Sequence, residues 1–300
     1  MINYKKSAGI IVFRVFNYFF MSVVSLVCLL PFINLLAVSL SSKPKAAAGE
    51  VLFWPVEFTT VAYEYTILSQ EFTTAFFISI QRVLLGVIIN LIVIVLTAYP
   101  LSKSAVSFKG RSLFAWFFVF TMLFSPSLIP SYLIVNNLKL LNTMWALVLP
   151  GALPVFSMIV MLNFFRNLPH ELEEAALVDG AGHLRILFQI YIPLSKPSIA
   201  TITLFCVVHH WNSWFDGIIY MNSPMKYPLQ SYLQTIVVNP KDITNVMNTN
   251  TSRIGELLAY VSNQTSRAAQ LFVAMIPILL IYPFLQKYFT TGLVLGSVKG

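Results

Sequence analysis

An acidic, small-residue segment, Glu174-Ala175-Ala176-Leu177-Val178-Asp179-Gly180, interrupts a chain that is otherwise largely hydrocarbon. After nine further residues comes Ile190-Tyr191-Ile192-Pro193. The chemistry these residues offer is docking rather than bond-making. Glu174 presents a carboxylate to basic or amide groups of a partner, Ala175 and Ala176 allow close approach, and Gly180 lets two helices meet at a steep angle. Pro169 opens the first helix, with Glu171, Glu173 and Glu174 in its first turns, where carboxylates complement the helix dipole. Gly180 and Gly182 supply the turn. A second segment, Leu184–Ile190, carries apolar residues, and Pro193 and Pro197 end it. An amphipathic helix lying on a membrane surface would show a basic polar face. This one is acidic, so the expected partner is a protein that takes up Glu174, Asp179 and the neighbouring small residues.

A second group of candidates falls inside apolar stretches. Arg82 is an intramembrane charge, which is costly and normally faces a cavity or a partner. It either lines a path or snorkels to the outer interface, and Asp216 or Glu71 is within its expected reach. Trp211, Asn212, Trp214 and Asp216 combine aromatic faces with amide and carboxylate groups, a set suited to sugar rings and hydroxyls. The same residues suit an aromatic belt and polar helix packing. Both readings stay open for these positions as candidates for a substrate path.

Other chemistry is excluded. No G-x-x-x-x-G-K-[ST] occurs, so the chain carries no phosphate-cradling loop of that kind for ATP. His209 and His210 are adjacent, roughly 100° apart on a helix, and make poor joint metal ligands. Cys28 and Cys206 both lie in apolar runs and read as core thiols, not a disulfide or metal motif. No paired carboxylates of the kind that hold a metal–diphosphate are present, which argues against a polytopic membrane enzyme.

The elements that must position these groups follow from composition. With 57% hydrophobic and 10% charged residues and a mean hydropathy of +0.77, the bilayer is the expected solvent, since soluble domains carry about 25% charge. The net charge of +8 reads as Lys and Arg in cytoplasmic loops rather than a nucleic-acid surface. Apolar runs reach the roughly 20 residues a span requires. The expected fold is an all-α polytopic membrane protein in one permease domain, with six transmembrane helices over 12–40, 74–101, 112–134, 143–164, 198–220 and 268–288. The first run is too long for a signal-peptide core and is expected to be retained. Pro126 and Pro130 are expected to break the third helix, Pro150 and Pro154 the fourth, and Pro277 and Pro283 the sixth. Broken helices suit a transporter. The loop Lys103–Arg111, with three positive charges and no acid, votes for a cytoplasmic location. That choice puts both termini and the connection 165–197 inside, and 289–300 becomes a cytoplasmic tail.

The motif Glu174-Ala175-Ala176…Gly180…Ile190-x-Ile192-Pro193, with Asp179 before Gly180 and Ala181-Gly182 after it, resembles the coupling loop of ATP-binding-cassette importer permeases. Trp211-Asn212 followed by Pro228-Leu229 is similar to the same family, as is the ending Gly292-Leu293-Val294-Leu295-Gly296-Ser297-Val298-Lys299-Gly300. Ile192 for Leu and Ser297 for Ala are small departures. The likeness covers nearly the whole length and is to the maltose-type, MalG-like sugar permeases. It implies the type I importer fold in a bacterial cytoplasmic (inner) membrane. It also implies a second homologous permease subunit, two ATPase subunits that bind ATP and Mg, and an extracytoplasmic solute-binding protein, with no cofactor in this chain. The tail residues Gly296, Val298, Lys299 and Gly300 would reach the ATPase interface. The segment Met221–Ser266, with Pro224-Met225-Lys226-Tyr227-Pro228-Leu229, looks like the subgroup that imports polysaccharide fragments of alginate or pectin type. Other solutes, or a stand-alone channel or secondary transporter, are the alternatives. The latter leaves the acidic loop and tail without a role.

Overall fold

The computed structural model describes residues 8–104, 107–124, 126–238, 256–257 and 259–292. The order of elements is α1 (Ala8–Ser39), α2 (Lys43–Ala47), α3 (Val61–Leu68), α4 (Gln70–Ser102), α5 (Arg111–Leu123), α6 (Leu128–Asn137), α7 (Met144–Val148) and α8 (Val155–Arg166). It continues with α9 (His170–Val178), α10 (His183–Ile186), α11 (Ile192–Leu194), α12 (Lys196–Asn212), α13 (Phe215–Tyr220), α14 (Leu229–Val238) and α15 (Asn263–Gly292). No strand occurs among the described residues, as expected where hydrocarbon forces each backbone group to bond within its own segment.

Three helices, Gly9–Ser39, Gln70–Ser102 and Asn263–Pro283, are long and apolar enough to cross a membrane. Three bent pairs bring the total to as many as six: α5 with α6, Met144–Gly151 with α8 at 49°, and His183–Leu194 with α12 at 82°. The break after α5 falls at Pro126 and the one before α8 at Pro150 and Pro154, rings that remove backbone donors, whereas Pro130 does not break the helix but sits in the first turn of α6. The sixth helix departs from expectation. Pro277 and Pro283 lie inside α15, which runs through both of them. A proline deletes one bond, and in a 30-residue helix the bonds on either side hold the axis together. The fifth span departs in the opposite direction. Its helix stops at Asn212 and resumes at Phe215, with no proline at the break.

The chain divides into two compact units. In the first (Met1–Thr73 and Thr235–Met275), the C-terminal end of α1 is folded under by the segment that follows it. Asn34 donates to the Leu52 carbonyl at 2.6 Å, Thr59 N–H to the Leu40 carbonyl at 2.9 Å, and the Ser39 and Tyr63 hydroxyls lie 2.7 Å apart. In the second (Thr74–Gln234 and Ile276–Gly300), the core is built from α4, α8, α12 and the segment around α10. Ile94, Ala98, Met158, Met161, Phe165, Ile186, Leu187, Tyr191 and Ile202 are buried together there. This second unit holds every described residue of the candidate site.

Candidate functional site

The acidic helix forms where expected. Pro169 is the N-cap of α9, and Glu171 and Glu173 occupy its first turn. Its end is a Schellman closure: Gly180 N–H bonds the Leu177 carbonyl at 3.0 Å and Ala181 N–H the Ala176 carbonyl at 2.9 Å. Gly180 sits at φ +75°, the left-handed conformation this closure demands. Gly182 is extended, with φ −73° and ψ 159°, and caps α10. Only Gly180 therefore needs glycine's freedom for the turn. Pro193 does not end the second segment. A wider π turn over Leu187–Tyr191 precedes it and leads into α11, which contains Pro193. The π turn relieves the crowding that proline imposes on the preceding turn. The corner comes at Ser195, and Pro197 opens α12.

Exposure sorts the motif into two faces. Glu174, Ala175, Asp179 and Pro193 are exposed, and Glu174 has no ion-pair partner among the described residues. Val178 is 88% exposed, with Leu172, Leu177, Leu184 and Phe188 also open. Ala176 and Ile190 are half-buried and pack against the chain's own core. Ala176 therefore supports α9 from beneath, while Ala175 is on the exposed face.

The inner face holds a junction. Lys103, just past α4, donates to Glu173 Oε1 at 2.6 Å, and Tyr191 donates its hydroxyl to Oε2 at 2.5 Å. The Lys103 ammonium stands 3.8 Å from the Tyr99 ring centre and 4.2 Å from that of Tyr191. Those two rings meet edge-to-face at 5.0 Å. Burial works against the Glu173 carboxylate, but the hydrogen bonds from Lys103 and Tyr191 and the Lys103 charge outweigh it and hold the carboxyl below its ordinary value. Burial pulls Lys103 below the usual lysine value, which its pairing with Glu173 only partly offsets. Burial and the Glu173 carboxylate push the Tyr191 hydroxyl up. The last carbonyls of this end of α4 are held as well, Leu101 by Arg166 at 3.1 Å and Lys103 by Arg111 at 2.5 Å, cations suited to the negative end of a helix. In the sequence Lys103 counted only as an orienting charge and Glu173 only as a first-turn acid. Only the spacing of Glu173 and Ala176, three apart and therefore on one helix face, hinted that Glu173 points inward.

The intramembrane candidates separate too. Arg82 is 1% exposed and neither snorkels nor opens to a path. It grips both oxygens of Asp216, not Glu71, and donates to the carbonyls of Ser213 at 3.2 Å and Leu147 at 3.4 Å. Ser213 lies at the break of the fifth span, and Leu147 in the last turn of α7, ahead of the break of the fourth. Two turns further along α4, Asn90 donates to the carbonyls of Gly151 and Ala152 at 2.8 and 2.9 Å and pairs with His210 Nε2 at 2.6 Å. Trp211 is buried against Phe76, edge-to-face at 5.8 Å. Asn212 and Trp214 are exposed and Asp216 is partly so. Cys206 is buried and Cys28 exposed, both as free thiols. The tail residues Gly296, Val298, Lys299 and Gly300 lie outside the described residues.

Residues 104–294 match the family described as the binding-protein-dependent transport system inner membrane component. The chain is 38% identical over 288 residues to the polygalacturonan/rhamnogalacturonan transport system permease protein YtcP of Bacillus subtilis, covering 96% of this chain and 98% of that protein. It is 38% identical to Protein LplC of the same organism, covering 96% and 95%. Its fold matches a chain in the crystal structure of a bacterial ABC transporter involved in the import of the acidic polysaccharide alginate, with a TM-score of 0.85, 34% identity and 94% of this chain covered. A chain with these apolar spans, this projecting acidic helix and full-length likeness to transport permeases belongs to the family of binding-protein-dependent transport system inner membrane components.

Proposed function

We propose that this chain is the membrane-spanning permease subunit of an ATP-driven importer of acidic oligosaccharides, working by alternating access. The observation that carries the reading is α9: a short helix fastened on one face, with Glu174, Ala175 and Val178 projecting on the other. A rigid knob of this kind fits a groove in a soluble ATPase and transmits its closure to the spans. In this reading two ATPase subunits bind ATP and Mg, a second permease completes the path, and an extracytoplasmic binding protein delivers the cargo. Both termini and α9 lie in the cytoplasm, and the tail 296–300 reaches the ATPase interface. Asn212, Trp214 and the open side of Asp216 face the path, while Arg82 and Trp211 brace its wall. Uronic-acid oligomers are the favoured cargo because two relatives similar over nearly their whole length serve acidic polysaccharides.

Reconstitution of the whole complex in proteoliposomes tests both layers. Binding protein loaded with oligogalacturonate is expected to stimulate ATP hydrolysis and saccharide uptake, and binding protein with maltotetraose is not. The reverse preference overturns the acidic-cargo assignment. Glu174→Lys is expected to abolish stimulation and weaken retention of the ATPases, and a Glu174→Lys complex that retains both overturns the docking role of α9.

A further inference from the structure

The neighbouring carboxylates Glu173 and Glu174 point in different directions. About 100° apart on one helix, Glu174 points out to a partner and Glu173 in to the body of the chain. The inward one joins α9 to the cytoplasmic end of α4 through Lys103, 70 positions away, and to the π turn through Tyr191, 18 positions away. A nine-residue helix has little stability alone, so what fastens α9 decides what moves with it. Its apolar footing is thin, being Ala176 and the flanking Leu168 and Ala181 against the core. The directional attachment is ionic and aromatic, and it ends on α4. The same α4 carries Asn90 and Arg82, whose side chains hold the carbonyls at the breaks of the fourth and fifth spans. One continuous helix thus connects the docking knob to both breaks.

Resting on the reading of α9 as the docking helix, we infer that Glu173 and Lys103 are positioning residues that make α4 follow α9 as one rigid piece, so that a displacement of the knob reaches the broken spans through Asn90 and Arg82. Apolar residues of similar size would fill the same space, but they would not fix register as a charge pair capped by a tyrosine hydroxyl does. Tyr191, which makes the third contact, is the last residue of the π turn.

The test is a distance measurement on the assembled complex, ATPases included, in nanodiscs. Cys28→Ser and Cys206→Ala remove the native thiols, and spin labels at His170→Cys on α9 and Leu96→Cys on α4 report their separation with and without trapping by ATP and vanadate. The expected result is one narrow distribution that is the same in both states. Glu173→Lys and Lys103→Glu should each broaden it, and the double exchange should restore it, which a merely packed site would not do. Narrow distributions in both single variants, failure of the exchange to restore, or a native distance that changes on trapping each overturn the inference. Glu174→Lys serves as the separate control. It should keep the narrow distance while losing the ATPases, whereas retention of the ATPases overturns the docking reading and leaves the junction result standing.

Discussion

Arg82 and Asp216, 134 positions apart, form a fork-to-fork ion pair in the second unit, and the spare donors of the same guanidinium hold the Leu147 and Ser213 carbonyls. The arginine is nearly fully buried, and its partner shows 23% of its side-chain surface. A buried charge of this kind is tolerated only when paired, and here the pairing also satisfies backbone groups that two broken helices leave open.

Removing one member should therefore cost more than removing both. Asp216→Ala is expected to destabilise the purified protein by roughly 3–5 kcal/mol, because the guanidinium stays buried without its counter-charge. Arg82→Met combined with Asp216→Leu should lose clearly less. A double-mutant cycle read by denaturation in detergent checks this, and additive losses would contradict it.

Asn90 is the second hook. Asn90→Ala leaves the Gly151 and Ala152 carbonyls and the His210 ring without a shared partner. A loss of about 1–3 kcal/mol is expected, with the damage localised at the break between α7 and α8. Faster amide exchange around 149–155 than around α9 is the measurement that separates this from general unfolding.

Gly180→Ala places a side chain at φ +75°. The cost is about 1–2 kcal/mol of local strain, and relief comes by opening the Schellman closure of α9. Its effect should appear as lowered substrate-stimulated hydrolysis in the reconstituted complex. Gly182→Ala, at an extended position with nothing near its added methyl, should change neither.

The junction has a defined pH range. The Glu173 carboxyl is held below its ordinary value in the folded chain. Its stabilisation is therefore fully present above the unfolded value of about 4.3 and is lost as pH falls through the lowered folded value. At the other end Lys103 sheds its proton earlier than an ordinary lysine because it is buried. Tyr191, whose hydroxyl is pushed up, donates to the carboxylate, and the His183 ring packs against Tyr99 beside it. The stability difference between the native chain and Glu173→Gln should stay flat through neutral pH and vanish in strong acid. A difference that shrinks already between about pH 7 and 5 would contradict the lowered carboxyl.

The membrane class, the helical fold, the acidic helix with its Pro169 start and Gly180 stop, and the breaks at Pro126, Pro150 and Pro154 were all legible in the residue order. Each rests on local chemistry: run length against bilayer thickness, a ring without a donor, a left-handed cap. The break at Ser213 was not legible, because no local residue causes it. It is stabilised by Arg82 from another helix. The inward turn of Glu173 was hidden for the same reason, its partner Lys103 being 70 positions away. Sequence spacing shows which residues share a helix face, but not whether a charged one meets water, lipid or a lysine from 70 positions away. Residue order thus determined where helices begin, what solvent they need and which segment stands apart as an exposed acidic helix. Tertiary structure alone decided which charges pair inside, because buried charges are settled by neighbours that only folding brings within a few ångströms.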